Sequence, residues 1–291
     1  MVWGRSLYGF PLAIPIILCL TFIVTYVVSV QLGHVNPSFP FISDTGSRPP
    51  ESCIFGQMLN IAAVLVAIVM YIRYRQVLQY SSQETGIVLK LNTVSLYLGF
   101  IAAFGLSVVG NFQESNALVV HLIGALLAFG LGTVYCCLQT IMSFKMHPHM
   151  NSRVLSYIRL IFSLIAVLAF IFMFAVIPLA FQKGESKDNL MPRGTARNIS
   201  VTSEWLLAAA VMCFFFTFVG EFRKIRLSAP EMSLRMESLA IVDYQQNQGN
   251  ITSLSRNHNA MELGAEYNKS VDNNNAEVKV VGTYQSYNQG Q

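Results

Sequence analysis

Asp44-Thr45-Gly46 has the form of the triplet around an aspartic-protease carboxylate. That chemistry needs two carboxylates sharing one proton on a mutually supporting scaffold. The chain holds no second such triplet, so this one reads as a turn. In that turn Asp44 accepts backbone amides and Gly46 supplies a positive φ. Lys145-Met146-His147-Pro148-His149 places two imidazoles close together. A metal site needs three or four ligands with a supporting outer layer; no other His, Cys or carboxylate run lies near, and the pair reads as a short turn. Cys19, Cys53, Cys136, Cys137 and Cys213 are scattered, four of them within apolar runs. That pattern excludes a disulfide framework or zinc cluster and marks them as small hydrophobes. No catalytic residue, cofactor or metal is expected from these sets.

Other polar residues fall inside apolar stretches: Asn60, Asn92, His121 and Gln139, with Asn111, Gln113, Glu114 and Glu204 at their ends. Ionisable groups within a membrane mark substrate or proton paths by default. His121 is the one placed for depth, and no partner for it is evident, so it reads as an interhelical hydrogen-bond partner. A transporter path along His121 or Asn60 is the competing reading. It lacks the internal repeat and broken helices of transporter folds.

The elements that must position these residues follow from composition. The 291 residues are 53% hydrophobic and only 12% charged, whereas a soluble domain carries about 25% charged residues. The net charge of +4 comes with no basic, aromatic-interleaved face, which excludes a nucleic-acid partner and leaves membrane lipids as the expected surroundings. A bilayer core takes about 20 apolar residues in helix. Six stretches qualify: Phe10 to Leu32, Ile54 to Ile72, Ile87 to Gly110, Ala117 to Met142, Val154 to Phe181 and Trp205 to Phe222. Unpaired backbone groups cost several kcal/mol in lipid, and segments this long and uniformly apolar are not barrel strands. The first is too long for a signal peptide. The expected fold is an all-α polytopic membrane protein, a six-transmembrane helix bundle with a disordered C-terminal tail.

Basic residues set the orientation. With six spans, one side holds Arg5, Arg73, Arg75, Lys90, Lys145, Arg153, Arg159, Arg223, Lys224, Arg226 and Arg235; the other holds Arg48, Lys183, Lys187, Arg193 and Arg197. Both termini are therefore expected in the cytosol. Residues 1–9 form a cytosolic N-terminus, 10–226 the membrane domain and 227–291 the tail. The tail is rich in Asn and Gln and expected to be disordered from about residue 245. Between Glu231 and Val242, Met232, Met236, Leu239 and Ala240 recur at helical spacing, fitting either a helix lying on the membrane or a solvated linker. Asn198 heads an Asn-x-Ser sequon in the non-cytosolic loop from Gln182 to Ser203, a candidate for N-glycosylation. Those at Asn250 and Asn268 fall in the tail. Tyr74-Arg75-Gln76-Val77 has the spacing of an endolysosomal sorting signal but lies hard against the second span. Gly124, Ala128 and Gly132 form a small-residue stripe at i, i+4 and i+8, where another helix of this chain or of a second copy, in a homo-oligomer, can approach closely.

The first loop is the most distinctive segment: His34-Val35-Asn36-Pro37, then Pro40-Phe41-Ile42-Ser43-Asp44-Thr45-Gly46, then Pro49-Pro50-Glu51. Its prolines lower the entropy of ordering it, and the expected result is a compact lumenal cap. A cap fits a binding surface or a structural lid equally well. The loop, with Ile54-Phe55-Gly56-Gln57-Met58-Leu59-Asn60, Tyr71-Ile72-Arg73-Tyr74, Asn111-Phe112-Gln113-Glu114, Glu204-Trp205 and Glu221-Phe222-Arg223-Lys224, resembles the DNA-damage-regulated autophagy modulator family. The resemblance runs from about Phe10 to Arg226; the tail after Arg235 departs from it. It implies a six-span, non-enzymatic protein of lysosomal and other endomembranes that promotes autophagy, with links to cell death and with partners in the autophagy machinery. A wider group of relatives implies the alternative, a plasma-membrane scaffold for phosphoinositide kinases.

Overall fold

The computed structural model describes residues 6–80, 86–148, 150–180 and 193–226. The chain divides into a body, Met1–Ala229, and a second unit, Pro230–Gln291. The expectations for the tail, including its disorder, its short helix and its two sequons, lie outside the described residues, as do His149 and the Lys183 and Lys187 votes.

Among the described residues the body is built of helices joined by loops. Helix α1 spans Gly9–Gln31, α2 Glu51–Tyr80 and α3 Gly86–Asn111. The fourth crossing comprises α4 (Leu118–Ala125), a π-helical segment (Leu126–Leu131) and α5 (Gly132–Lys145). Then come α6 (Arg153–Ala180), α7 (Arg193–Phe216) and the short α8 (Val219–Phe222). Six helical stretches are long and apolar enough to cross a bilayer, so this is a multi-pass membrane protein. Leu20, Val64, Phe104, Ile161 and Phe172 are exposed on their outer faces, a pattern that lipid accommodates and water does not. Among the described residues no strand forms; one isolated bridge joins Ser6 to Arg226. The Ser6 hydroxyl also donates to the carbonyls of Phe222 (3.2 Å) and Arg223 (2.9 Å). The chain thus enters and leaves the bundle at one end, as an even number of crossings requires.

The last crossing is the central one. Half of its most apolar window is buried, against 28% for the fifth. Phe214, Phe218 and Phe222 are fully enclosed there and join Leu59, Val69, Met70 and Tyr135 in the main core. This crossing begins earlier than expected: α7 starts at Arg193, not Trp205. Polar residues mark its first turns, but Ala196 packs with Val176 of α6, and Ser200, Val201, Ser203 and Glu204 are buried. Tertiary packing carries a helix through residues whose polarity suggests a loop. Asn198 accordingly lies in α7, with an exposed side chain, not in a loop. Helix α2 likewise runs past Ile72 to Tyr80 and buries Val77, so Tyr74-Arg75-Gln76-Val77 is part of a packed helix.

The small-residue stripe finds its neighbour within this chain. A Cβ at Gly124 would meet Val108 of α3 at 2.7 Å, and a Cβ at Gly105 of α3 would meet the Ala128 nitrogen at 2.6 Å. Gly132 does not share the contact, since nothing lies within 4 Å of its would-be Cβ. The intervening π turn holds more residues per turn than an α turn and rotates Gly132 off the stripe. Gly132 instead lines an apolar cavity of about 90 Å³ with Ala102, Ala103 and Met70. Three of the free cysteines, Cys19, Cys53 and Cys213, are exposed on the helix surfaces and Cys136 is buried.

Candidate functional site

Polar and charged side chains gather at both ends of the bundle. At the first, the loop between α1 and α2 folds over the helix ends as a cap. Asp44–Gly46 is a single 3-10 turn, and Thr45 and Gly46 are buried beneath it. Asp44 accepts the Phe41 N–H at 3.3 Å and the Arg197 guanidinium at 3.4 Å. Thr45 donates to the Ile42 carbonyl at 2.7 Å, and its hydroxyl pairs with that of Thr25 on α1 at 3.1 Å. Gly46 is needed for space rather than conformation. Its φ is not positive, since among described glycines only Gly33 has one (71°). A Cβ there would overlap the Phe55 ring. The expected positive φ is therefore corrected: a 3-10 turn uses right-handed angles.

The remaining cap residues each have a place. Asn36 Oδ1 accepts the Ser38 N–H (3.0 Å) and hydroxyl (2.9 Å), and the Pro37 carbonyl accepts the Tyr26 hydroxyl at 3.0 Å. Pro50 follows Pro49 through a cis peptide. Glu51 is the first residue of α2, fully buried, with His34 Nδ1 at 2.5 Å from its Oε1. Three contacts tie the cap to distant parts of the chain. The Ile42 N–H donates to Glu204 Oε2 at 2.8 Å, the Ser43 hydroxyl donates to Glu114 Oε2 at 2.5 Å, and the Trp205 indole donates to the Pro40 carbonyl at 3.0 Å. Trp205 also stacks on Phe39, with centroids 6.4 Å apart. Burial pushes the Glu114 carboxyl up to about 7; the Ser43 hydroxyl opposes this and the nearby Asp44 adds to it. Burial also raises Asp44, against the pull of the Phe41 N–H and Arg197.

His121 belongs to this end. It lies one turn into α4, with Nδ1 2.8 Å from the Phe112 carbonyl of the preceding turn. Its partner is thus the connector of its own hairpin, not a helix deep in the membrane. A small cavity of about 30 Å³ has His121, Glu114 and Glu204 in its wall, and a larger one of about 430 Å³ lies against Asp44, Glu114 and Arg197. Asn60 joins Ser107 (2.6 Å) and Asn111 (3.0 Å) across the α2–α3 interface.

The opposite end carries a cluster that the sequence reading passed over. Arg73 and Arg159, counted above as solvent-facing charges, are both fully buried. Glu221 Oε2 accepts Arg73 Nη1 at 2.7 Å and Arg159 Nη2 at 3.0 Å. Arg73 Nε donates to Gln139 Oε1 (3.1 Å), whose amide donates to Ser95 (2.9 Å). Arg159 reaches Ser143 (2.6 Å) and Thr217 (2.9 Å). Phe218 lies beneath both guanidiniums, 5.3 and 4.6 Å from its centroid. The cluster joins α2, α3, α5, α6 and α8. An arginine inside the apolar run from Val154 to Phe181 was the available signal, because a charge within a span needs a partner. Around it, Arg75, Lys90, Lys145, Arg153, Arg223, Lys224 and Arg226 are exposed, which makes this the basic end. His147 lies here, half-buried, in the turn after α5. Among the described residues no three His, Cys, Asp or Glu side chains converge as metal ligands do.

Comparison with known proteins places these residues in a family. No solved structure matches the chain. DNA damage-regulated autophagy modulator protein 2 of Mus musculus is 37% identical over 236 residues, 78% of this chain and 88% of that protein. DNA damage-regulated autophagy modulator protein 1 of Homo sapiens is 41% identical over 209 residues, 71% of this chain and 87% of that one. The modulator of macroautophagy TMEM150B-B of Xenopus laevis is 37% identical over 201 residues, covering 68% and 78%. The family described as Frag1/DRAM/Sfk1/Cwh43P N-terminal domain matches residues 6–225, which include the cap, both polar ends and all six crossings. The chain belongs to this family, and within it to the DNA-damage-regulated autophagy modulators.

Proposed function

We propose that this protein is a non-enzymatic regulator that promotes autophagy from a lysosomal or late-endosomal membrane, with its cap in the lumen and its basic end in the cytosol. The observation that carries the reading is the family match over residues 6–225, together with relatives named as modulators of autophagy. Charge supports the orientation. Removing the buried Arg73 and Arg159 from the tally leaves nine basic residues on that side, seven of them exposed among the described residues, against the five of the other side, Arg48, Lys183, Lys187, Arg193 and Arg197, and cytosolic faces carry the excess of Lys and Arg. The buried ion-pair cluster supports a body braced at its basic end, suited to presenting surfaces to protein partners.

The test is turnover of a lipidated autophagosome marker, with and without a lysosomal inhibitor, in cells lacking or overproducing the protein. Flux should fall in the first and rise in the second, with the protein on lysosomal or late-endosomal membranes. Unchanged flux in both, with the protein at the plasma membrane and phosphoinositide levels altered, would replace this reading with the kinase scaffold.

A further inference from the structure

The cap is fastened to the bundle largely through carboxylates. Glu204 of α7 holds the Ile42 N–H, Glu114 of the α3–α4 connector holds the Ser43 hydroxyl, and Glu51 of α2 meets His34. Asp44, on the cap itself, holds Arg197 of α7. Arg48 on the cap and His121 on α4 complete the charged and titratable groups around Glu114, and α6 contributes Met173 to the wall of the small cavity. Glu114 therefore faces Asp44 and Glu204 as fellow acids. The cation set against Asp44 is Arg197, whose side chain is 41% exposed. A cation so open to solvent is screened. His121 commits Nδ1 to the Phe112 carbonyl. Glu114 also forms part of the wall of both cavities. Its part-buried carboxyl borders the larger of them, of about 430 Å³.

We propose that Glu114 is a proton-binding site that closes the cap onto the bundle as the surrounding pH falls. With Glu114 neutral, the Ser43 contact joins two uncharged groups and no charge is stranded. With Glu114 ionised beside Asp44, the same seat holds negative charge withdrawn from water, and undocking the cap relieves it by readmitting water. The linkage has the matching sign. Burial lifts the docked Glu114 from an ordinary 4.5 to about 7, and Asp44 moves the same way. The docked state then binds the proton more tightly than the released state. Its stabilisation is full below about 4.5 and lost as pH rises through about 7. Arg197 pulls in the opposite sense, favouring both anions, and the lift of Glu114 persists against it. The inference rests on the endolysosomal reading only for its trigger, an acidifying lumen on the cap side.

Trp205 reports on the cap directly through its contacts with Pro40 and Phe39. The chain has two tryptophans, and Trp3→Phe leaves Trp205 alone. Quenching of its fluorescence by acrylamide, a neutral quencher, is measured on the purified full chain in nanodiscs from pH 4.5 to 8. Quenching should be low in acid and rise with a midpoint near 7. Glu114→Gln, a neutral mimic of the protonated side chain, should keep it low and flat. Ser43→Ala removes the hydroxyl that favours the anion and should move the midpoint upward, which keeps the proposal testable if Glu114→Gln fails to fold. A flat wild-type profile, a wild-type midpoint in Glu114→Gln, or a Ser43→Ala midpoint at or below wild type would each overturn it. The measurement needs no cell, so its failure leaves the autophagy reading untouched, and unchanged flux leaves the proton site untouched.

Discussion

At the basic end one carboxylate, Glu221, is divided between two buried guanidiniums; at the cap end Asp44 and Glu114 lie by the half-exposed Arg197, with Glu204 beside them. The first arrangement sets both guanidiniums on one carboxylate inside the protein, with one positive charge over, and surrounds them with Gln139, Ser143, Thr217 and the Phe218 ring. The second sets acids side by side at the cavity of about 430 Å³. The first cluster fixes five helical elements in place. Acids set side by side make a contact whose strength follows the medium. The basic end is thus a clamp and the cap end a fastening that pH can adjust.

The largest effect is expected at the clamp. Glu221→Gln leaves Arg73 and Arg159 buried without their counter-charge, at a cost of about 3–5 kcal/mol, read as a fall in thermal unfolding midpoint in nanodiscs. Replacing all three together, Arg73→Met with Arg159→Met and Glu221→Leu, should cost less than Glu221→Gln alone, because no charge is then stranded. A triple variant less stable than the single one would break the contrast between the two ends. Next in size is Gly46→Val, which drives a side chain into the Phe55 ring for about 1–3 kcal/mol and should expose Trp205 at every pH. Trp205→Phe removes the indole donor to the Pro40 carbonyl and should cost about 0.5–1.5 kcal/mol. His147→Ala, half-buried in the turn at the basic end, should change stability by less than about 0.5 kcal/mol.

The six crossings were legible because the bilayer imposes a length and a polarity that the chain cannot disguise. Helix α3 starts and stops within one residue of the expected Ile87 and Gly110. Where the reading failed, packing outweighed polarity. Arg193 to Glu204 forms helix because α6 and the cap bury one of its faces. Arg73 and Arg159 were read as solvent charges because Glu221, their partner, is 148 and 62 residues away in sequence. Gly46 carried a real signal assigned to the wrong cause: the residue it must avoid, Phe55, follows only nine positions later, and sequence gives no ring orientation. His121, Glu114 and Glu204 each drew notice singly. Only the fold of the cap brings them together.

The account depends most on which compartment each end of the bundle meets. Intact lysosome-enriched organelles provide the direct test. One epitope tag is inserted after Ser38, on the exposed crest of the cap, and another is fused at the C-terminus. Added protease should remove the C-terminal tag and spare the cap tag until detergent opens the membrane. A protected C-terminal tag with a digested cap tag, or absence of the protein from these organelles, would contradict the account.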